Sequence, residues 1–332
     1  MFKFSDKTAS ADEIESIMQT LRKGWLAPGS KAAFLEKKLP EICGFNYGVL
    51  LNTRSSALFT IFLAYGIGSE SNVLVSSISN KAHVEILRTL NSNIKFYAVE
   101  EGNMSCNYSE IRKKIDSDNI QMVILQNENL NNSCEKLVNE KIIKVIDLGY
   151  DAMNVGINYD AGVIEFDGIC ALAMFNNFEE YNSAICIRDW GRVGTQDEDV
   201  NKRYDGWVLG NNVRYDYKFV YGNLGFNFKS CEMSATLATE KLNEVKEKNE
   251  DFDMFRNKEG FIVSNNGYTL IVKNGKDYQN QLKANNIKYE TIESYGYVLN
   301  EETKNNKCIF DNYIIINSDS NRNKEIAKFF LK

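Results

Sequence analysis

Two rhythms of apolar residues alternate along this chain: short β-rich runs, and longer stretches in which apolar positions recur three and four apart. In residues 10–23, Ile14, Ile17, Met18 and Leu21 share one helical face, Ser10 and Glu13 have capping-box spacing, and Gly24 supplies the stop. β-rich runs at 47–52, 72–76, 94–99, 121–125 and 142–147 then alternate with helical segments. That alternation predicts a largely parallel sheet covered by helices on both faces, with ligands at the strand C-termini. After Asn227, Ser230 is placed to cap a helix whose apolar face is Met233, Leu237, Ala238, Leu242 and Val245, and the charged run 246–253 ends it. Strand signals at 261–264, 268–272, 288–292 and 308–316, a helix near 278–284 and another from Asn321 predict a small α+β domain. The expected division is a large α/β domain over 1–229 and a small domain over 230–332.

With 332 residues, 43% hydrophobic and 12% aromatic, the chain can bury a full core. A net charge of -6 and a pI near 5.2 argue against a polyanion-binding surface, and no run of Lys or Arg interleaved with aromatics offers a nucleic-acid track. No apolar run approaches the ~18 residues of a membrane span, and the opening residues lack the order of a signal peptide. A cytoplasmic protein with neither nucleic-acid nor membrane partners is expected. The seven cysteines include no CxxC pair and His83 is the only histidine, so no zinc site is expected. The same count excludes an internal Ser-His-Asp or Cys-His mechanism unless His83 is its base. The cysteines read as buried, reduced thiols and His83 as a structural histidine.

The most informative stretch is 187–243, which contains RDWGR (Arg188, Asp189, Trp190, Arg192), YDYKFVY (Tyr215, Asp216, Lys218, Tyr221) and GFNFK (Gly225, Asn227, Lys229) before a helix. It resembles the DegT/DnrJ sugar aminotransferase family, most closely its CDP-4-keto-6-deoxyglucose 3-dehydrase branch, whose members carry RDWGR, YDHKY and GYNLK. Trp25, Gly29, Phe34, Glu36 and Gly44 extend the resemblance toward the start. It implies aminotransferase fold type I: a large domain with a mostly parallel seven-stranded sheet between helices, and a small C-terminal α+β domain. It also implies pyridoxal or pyridoxamine phosphate at the strand ends and an active site completed across a dimer.

Carried over position by position, the coenzyme contacts depart from the family's pattern. In LNTRSSAL the glycine of the phosphate-binding turn is Arg54; Ser55 and Ser56 remain, either to bond an anion or to cap the helix. The aromatic that stacks on the pyridine ring aligns with Asn80, which presents no comparable face. The aspartate that faces the pyridine nitrogen aligns with Leu148, or with Asp147 after a slip of one residue. In MFNNFEEYNSAI, Met174 takes the place of a phosphate-binding serine and Glu179 the place of the Lys or His, and the glycine pair that follows in the family is missing. Without an ammonium there is no internal Schiff base, which leaves Glu179 as a general base or as a solvated carboxylate. An arginine that helps bind the sugar nucleotide in the family aligns with Glu290.

The segments that reach across a dimer in the family are retained: Arg188, Trp190, Arg192, Tyr215, Lys218, Asn227 and Lys229. Asn227 matches the asparagine that approaches the opposite subunit's phosphate. The expectation is a family member without covalent coenzyme chemistry and without bound coenzyme. It would form a homodimer, or a heterodimer with an active paralogue, in nucleotide-sugar or polysaccharide synthesis, with a nucleotide sugar as a possible ligand. Three alternatives stay open. One is a dehydratase or aminotransferase holding pyridoxal or pyridoxamine phosphate non-covalently with Glu179 as base. Another is that RDWGR and GFNFK persist as packing. The third is a binding protein that takes a different anion in the emptied cleft, with Arg54, Ser55 and Ser56 as its cradle.

Overall fold

A computed structural model describes residues 10–100, 104, 106–126, 137, 141–149, 156–166, 168–193, 216, 219–244, 252–255, 258–263, 269–292, 297–299, 306–317 and 323–330. Its helices are α1 (Ala11–Lys23), α2 (Ser30–Cys43), α3 (Arg54–Ala64), α4 (Lys81–Thr89), α5 (Tyr108–Asp118), α6 (Phe178–Arg188), α7 (Glu232–Glu244), α8 (Gln279–Ala284), α9 (Lys307–Asn312) and α10 (Asn323–Phe330). The strands that form its main sheet are β1 (Tyr47–Leu51), β2 (Asn72–Ser76), β4 (Asn93–Tyr97), β5 (Met122–Gln126), β6 (Ile143–Asp147), β7 (Ala161–Phe166) and β8 (Cys170–Phe175). A second sheet contains β9 (Phe261–Val263), β10 (Thr269–Val272), β11 (Glu290–Thr291) and β13 (Ile314–Asn317), and β3 (Ile78–Asn80) pairs with β12 (Tyr297–Leu299).

The chain divides into two compact units, each made of two segments. In the first, Met1–Gly68 and Leu148–Glu244, β8 lies antiparallel between β1 and β7, with Val49 opposite Ala173 and Val163 opposite that same Ala173. All six residues of β8 are buried, as a strand covered on both faces requires. Helix α2 lies so close to β1 that a Cβ on Gly48 would stand 2.7 Å from the Glu36 carbonyl oxygen. The sequence places the cap and stop of α1 correctly: Ser10 and Glu13 form the capping box and Gly24 ends the helix at φ 72.

The face α1 buries is not the apolar stripe. Ile14, Met18 and Leu21 are 49%, 41% and 49% exposed, whereas Glu13 and Thr20 are buried. The contact with α7 is polar, through Thr20 Oγ1 and Thr236 Oγ1 at 2.9 Å and Ser16 Oγ donating to Glu240 at 2.9 Å. Helix α7 matches this: Glu232, Ala235, Thr236, Ala238 and Thr239 are buried, while Met233 and Leu237 are only partly so. Its first residue is Glu232, two positions after the expected cap Ser230, and Val245 lies outside the described residues.

In the second unit, Ser69–Asp147 and Val245–Lys332, β6, β5, β2 and β4 run parallel in that order. The small sheet separates two cores by the two-residue alternation of its strands. Val263, Leu270, Val272, Ile314 and Ile316 join Phe252 and Phe255 on one side. Ile262, Ile271 and Ile315 turn to the other, where they meet Ile78, Val99 and Met104. Buried Asn306 reinforces this second core, accepting from Ser77 Oγ at 2.6 Å and from Val99 N at 3.1 Å. The expected strand at 308–316 is a helix, α9, followed by β13; the β-rich composition of Ile309 and Phe310 fills a helical turn before the ladder begins at Ile314. Among the described residues, no helix is long and apolar enough to cross a membrane.

Candidate functional site

In the first unit, Thr53 leaves β1 in an extended conformation and caps α3 reciprocally with Ser56. Ser56 Oγ donates to Asn52 Oδ1 at 2.7 Å and to the Thr53 carbonyl at 2.8 Å, so its hydroxyl is engaged by the cap, while Ser55 is exposed. Arg54, first residue of α3, sends Nη1 to within 3.5 Å of Glu165 Oε2 on β7, with side-chain exposures of only 15% and 14%. Glu165 and Phe166 end β7, and the chain turns back at once through Gly168 at φ 71, where Ile169 N donates to the Phe166 carbonyl at 2.7 Å. Met174 lies in the buried body of β8, and Glu179 is exposed in the first turn of α6, where its amide donates to the Asn177 cap at 2.8 Å.

In the second unit, Asn80 ends β3 and caps α4, its side chain accepting from Ala82 N at 2.9 Å and its amide donating to Gln126 at 3.0 Å. Within the first turn of α4, His83 Nε2 stands 2.6 Å from Asp147 Oδ2 at the end of β6, and neither side chain has exposed surface. His83 Nδ1 is buried without a hydrogen-bond partner. Leu148, which belongs to the first unit, is buried, and its amide donates to the Val163 carbonyl at 2.9 Å. Glu290 pairs in β11 with Ile315, and residues 151 and 152 lie outside the described residues.

The retained motifs form one woven structure inside the first unit. Asn227 bridges Asp189, and Phe226 N donates to the Ile187 carbonyl at 2.7 Å, while Asn52 N donates to the Phe228 carbonyl at 2.8 Å on the other side. Arg188 forms a short ion pair with Glu36, whose Oε1 also accepts from Leu50 N at 2.9 Å. Burial first, then the Glu36 carboxylate, raises the neighbouring Tyr181 phenol above its ordinary range. Asp189 holds both Lys229 at 2.8 Å and Arg192 at 3.2 Å. Gly191 and Gly225 cross backbone to backbone: a Cβ on Gly225 would lie 1.9 Å from Gly191 N. Trp190 and Asn227 remain exposed, and Tyr215 and Lys218 lie outside the described residues.

Three groups in these surroundings stand out only in three dimensions. Glu165 carries no signal beyond its place in an apolar run. Glu232 reaches back from α7 to accept from Gly29 N and Lys31 N, each at 2.7 Å, capping α2 where Gly29 has no side chain to do so. Asn306 sits at the head of a short helix with nothing to mark it. The described cysteines are free thiols, and among the described residues no three His, Cys, Asp or Glu side chains gather as a metal site.

The mixed seven-stranded sheet with its helices and the small antiparallel sheet define aminotransferase fold type I. A solved structure of E. coli GDP-4-keto-6-deoxy-D-mannose-3-dehydratase with bound hydrated PLP superposes with a TM-score of 0.78 over 99% of this chain and 98% of that one, at 16% identity. The model of the DegT/DnrJ/EryC1/StrS aminotransferase family matches residues 7–253, and the chain belongs to that family. Its curated relatives include the spore coat polysaccharide biosynthesis protein SpsC of Bacillus subtilis, 34% identical over 68 residues, which are 20% of this chain and 18% of SpsC. They also include the lipopolysaccharide biosynthesis protein RfbH of Salmonella typhimurium, 24% identical over 289 residues, covering 73% of this chain and 62% of RfbH. The chain thus spans less than two thirds of the length of either relative.

Proposed function

We propose that this chain has given up the family's coenzyme chemistry and acts as a non-catalytic partner subunit in nucleotide-sugar or surface-polysaccharide synthesis. It pairs with a second copy of itself or with an active relative. The observation that carries this reading is the His83–Asp147 pair. A protonated pyridine nitrogen is held opposite an accessible carboxylate, whereas the Asp147 side chain has no exposed surface and its Oδ2 stands 2.6 Å from the His83 imidazole. Leu148, the other residue at this position, offers hydrocarbon only. Asn80 is occupied as a helix cap, buried Met174 offers a phosphate no hydroxyl, and exposed Glu179 is not the amine a Schiff base needs. The residues present do not fit pyridoxal phosphate.

Pairing is supported by apolar side chains left uncovered in the first unit: Ile14, Met18 and Leu21 on α1, and Trp190, Leu224 and Phe226 beside the woven motifs. Single exposed apolar groups are ordinary, but rows of them mark association surfaces. The sugar pathway is supported by the polysaccharide-synthesis roles that SpsC and RfbH carry in their names.

The test adds pyridoxal phosphate or pyridoxamine phosphate to the purified chain, desalts it and records the coenzyme's near-ultraviolet absorbance. No retained chromophore is expected. Stoichiometric retention abandons this proposal in favour of a dehydratase or aminotransferase that holds the coenzyme non-covalently with Glu179 as base. That second reading is favoured by the coenzyme present in the E. coli dehydratase structure. Light scattering of the chain alone and after mixing with an active family member separates a self-paired from a mixed dimer.

A further inference from the structure

We infer that Glu165 and Arg54 together fill the place of the coenzyme's phosphate, the carboxylate standing in for the anion. This deepens the reading above, on which it rests.

Two observations meet here. The first is the turn into α3, where Arg54 occupies the position of the phosphate-binding glycine. The second is the end of β7. The family's pattern of a serine-phenylalanine pair, a loop with Lys or His, and then a glycine turn has two placements in this chain. On β8 it falls on Met174 and Phe175, which run directly into a helix rather than a glycine turn. On β7 it falls on Glu165 and Phe166, with the turn at Gly168 following at once and β8 beginning at Cys170.

Under the β7 placement the phosphate-binding serine is Glu165 instead of Met174, Glu179 leaves the Lys or His slot, and the sequence at 167–169, Asp, Gly and Ile, holds neither Lys nor His. The two replaced phosphate contacts are complementary in charge, and they meet: Arg54 Nη1 and Glu165 Oε2 are 3.5 Å apart and both side chains are largely withdrawn from water. An arginine as first residue of α3 adds positive charge to the positive end of the helix dipole. A carboxylate supplied from the facing strand offsets it and leaves a phosphate ester to meet like charge.

The experiment reads thermal midpoints of the full chain in inorganic phosphate against sodium chloride of matched ionic strength. The variants are wild type, Glu165→Ala, Glu165→Gln and the double variant Arg54→Ala/Glu165→Ala, with folding of each checked by circular dichroism. Removing the carboxylate takes away the negative charge that a phosphate would meet beside Arg54. Glu165→Ala and the more conservative Glu165→Gln are expected to gain about 2–5 °C in phosphate at tenfold above its dissociation constant. Wild type and the double variant gain nothing. The inference is overturned if wild type already responds to phosphate, if the folded single variants do not respond, or if the double variant responds equally. Coenzyme retention by wild type is a separate outcome and sinks the reading of the coenzyme site itself, whereas indifference of Glu165→Ala to phosphate sinks this inference alone.

Discussion

Replacing His83 by alanine removes the imidazole 2.6 Å from Asp147 and leaves a carboxylate with no exposed surface short of that partner. Losing one partner of a buried hydrogen-bonded pair costs about 1–3 kcal/mol. At about 1.4 kcal/mol per tenfold change, the folded-to-unfolded ratio falls by roughly one to two powers of ten. Removing Asp147 as well removes the group whose partner was lost, so His83→Ala/Asp147→Ala is expected to be less damaged than the sum of its single variants, with a coupling energy of about 1–3 kcal/mol. His83→Gln, which keeps an N–H donor on a comparable stem, retains part of the stability. The assay is urea unfolding of the four members of the cycle, followed by tryptophan fluorescence and circular dichroism. Additivity within about 0.5 kcal/mol would refute the reasoning, because two groups that do not need each other cannot be what closes Asp147 to an outside cation.

Gly225→Ala is expected to lose about 3 kcal/mol or more, since its Cβ would meet Gly191 N at 1.9 Å and backbone cannot rotate away; Gly68→Ala, which meets nothing within 4 Å, is the neutral control in the same thermal scan. Glu232→Ala strips the acceptor from Gly29 N and Lys31 N, both at 2.7 Å, and is expected to lower stability by about 1–3 kcal/mol in denaturant titration, with an unchanged value counting against capping of α2 from α7. Burial pushes the Cys170 thiol from 9.0 up to about 12. The native state then holds a proton that the unfolded chain releases, so this stability is present below pH 9.0 and is lost as pH rises toward about 12. Iodoacetamide is accordingly expected to leave Cys170 unmodified in the folded chain at pH 8, and mass spectrometry showing rapid alkylation there would contradict it.

The fold was legible wherever local chemistry decides it. Ser10, Glu13 and Gly24 bound α1, and the runs ending at Ser76 and Asp147 became β2 and β6, because caps, breakers and strand periodicity act over a few residues. The pattern misled where the partner surface is polar. The face of α1 that packs on α7 is Glu13, Ser16 and Thr20, which a hydrophobicity criterion assigns to solvent. At the candidate site, Arg54 and Asn80 were visible as departures from the family's pattern. What answers Arg54 was not visible: Glu165 lies far along the chain within an apolar strand, and only the sheet brings it to α3. His83 reads as a structural histidine and Asp147 as a candidate partner of the pyridine nitrogen, and nothing local links a residue of α4 to the end of β6.

That difference also decides what the retained motifs can say about partners. Arg188, Asp189, Gly191, Arg192, Gly225 and Lys229 are accounted for inside one chain, by ion pairs and by the crossing of two glycine backbones. These contacts hold the motifs within one subunit, while Arg188 Nε and Arg192 Nε are buried there without a hydrogen-bond partner. Trp190 and Asn227 differ. Trp190 holds a positive φ of 63 while leaving 47% of its surface exposed, and Asn227 gives its backbone to the bridge with Asp189 but keeps its side chain outside. The left-handed φ of Trp190 is a backbone cost that covering its ring would not change, whereas covering would bury the apolar surface the ring exposes. Under the proposed pairing, these two side chains and the apolar row on α1 are the surface that a partner would cover.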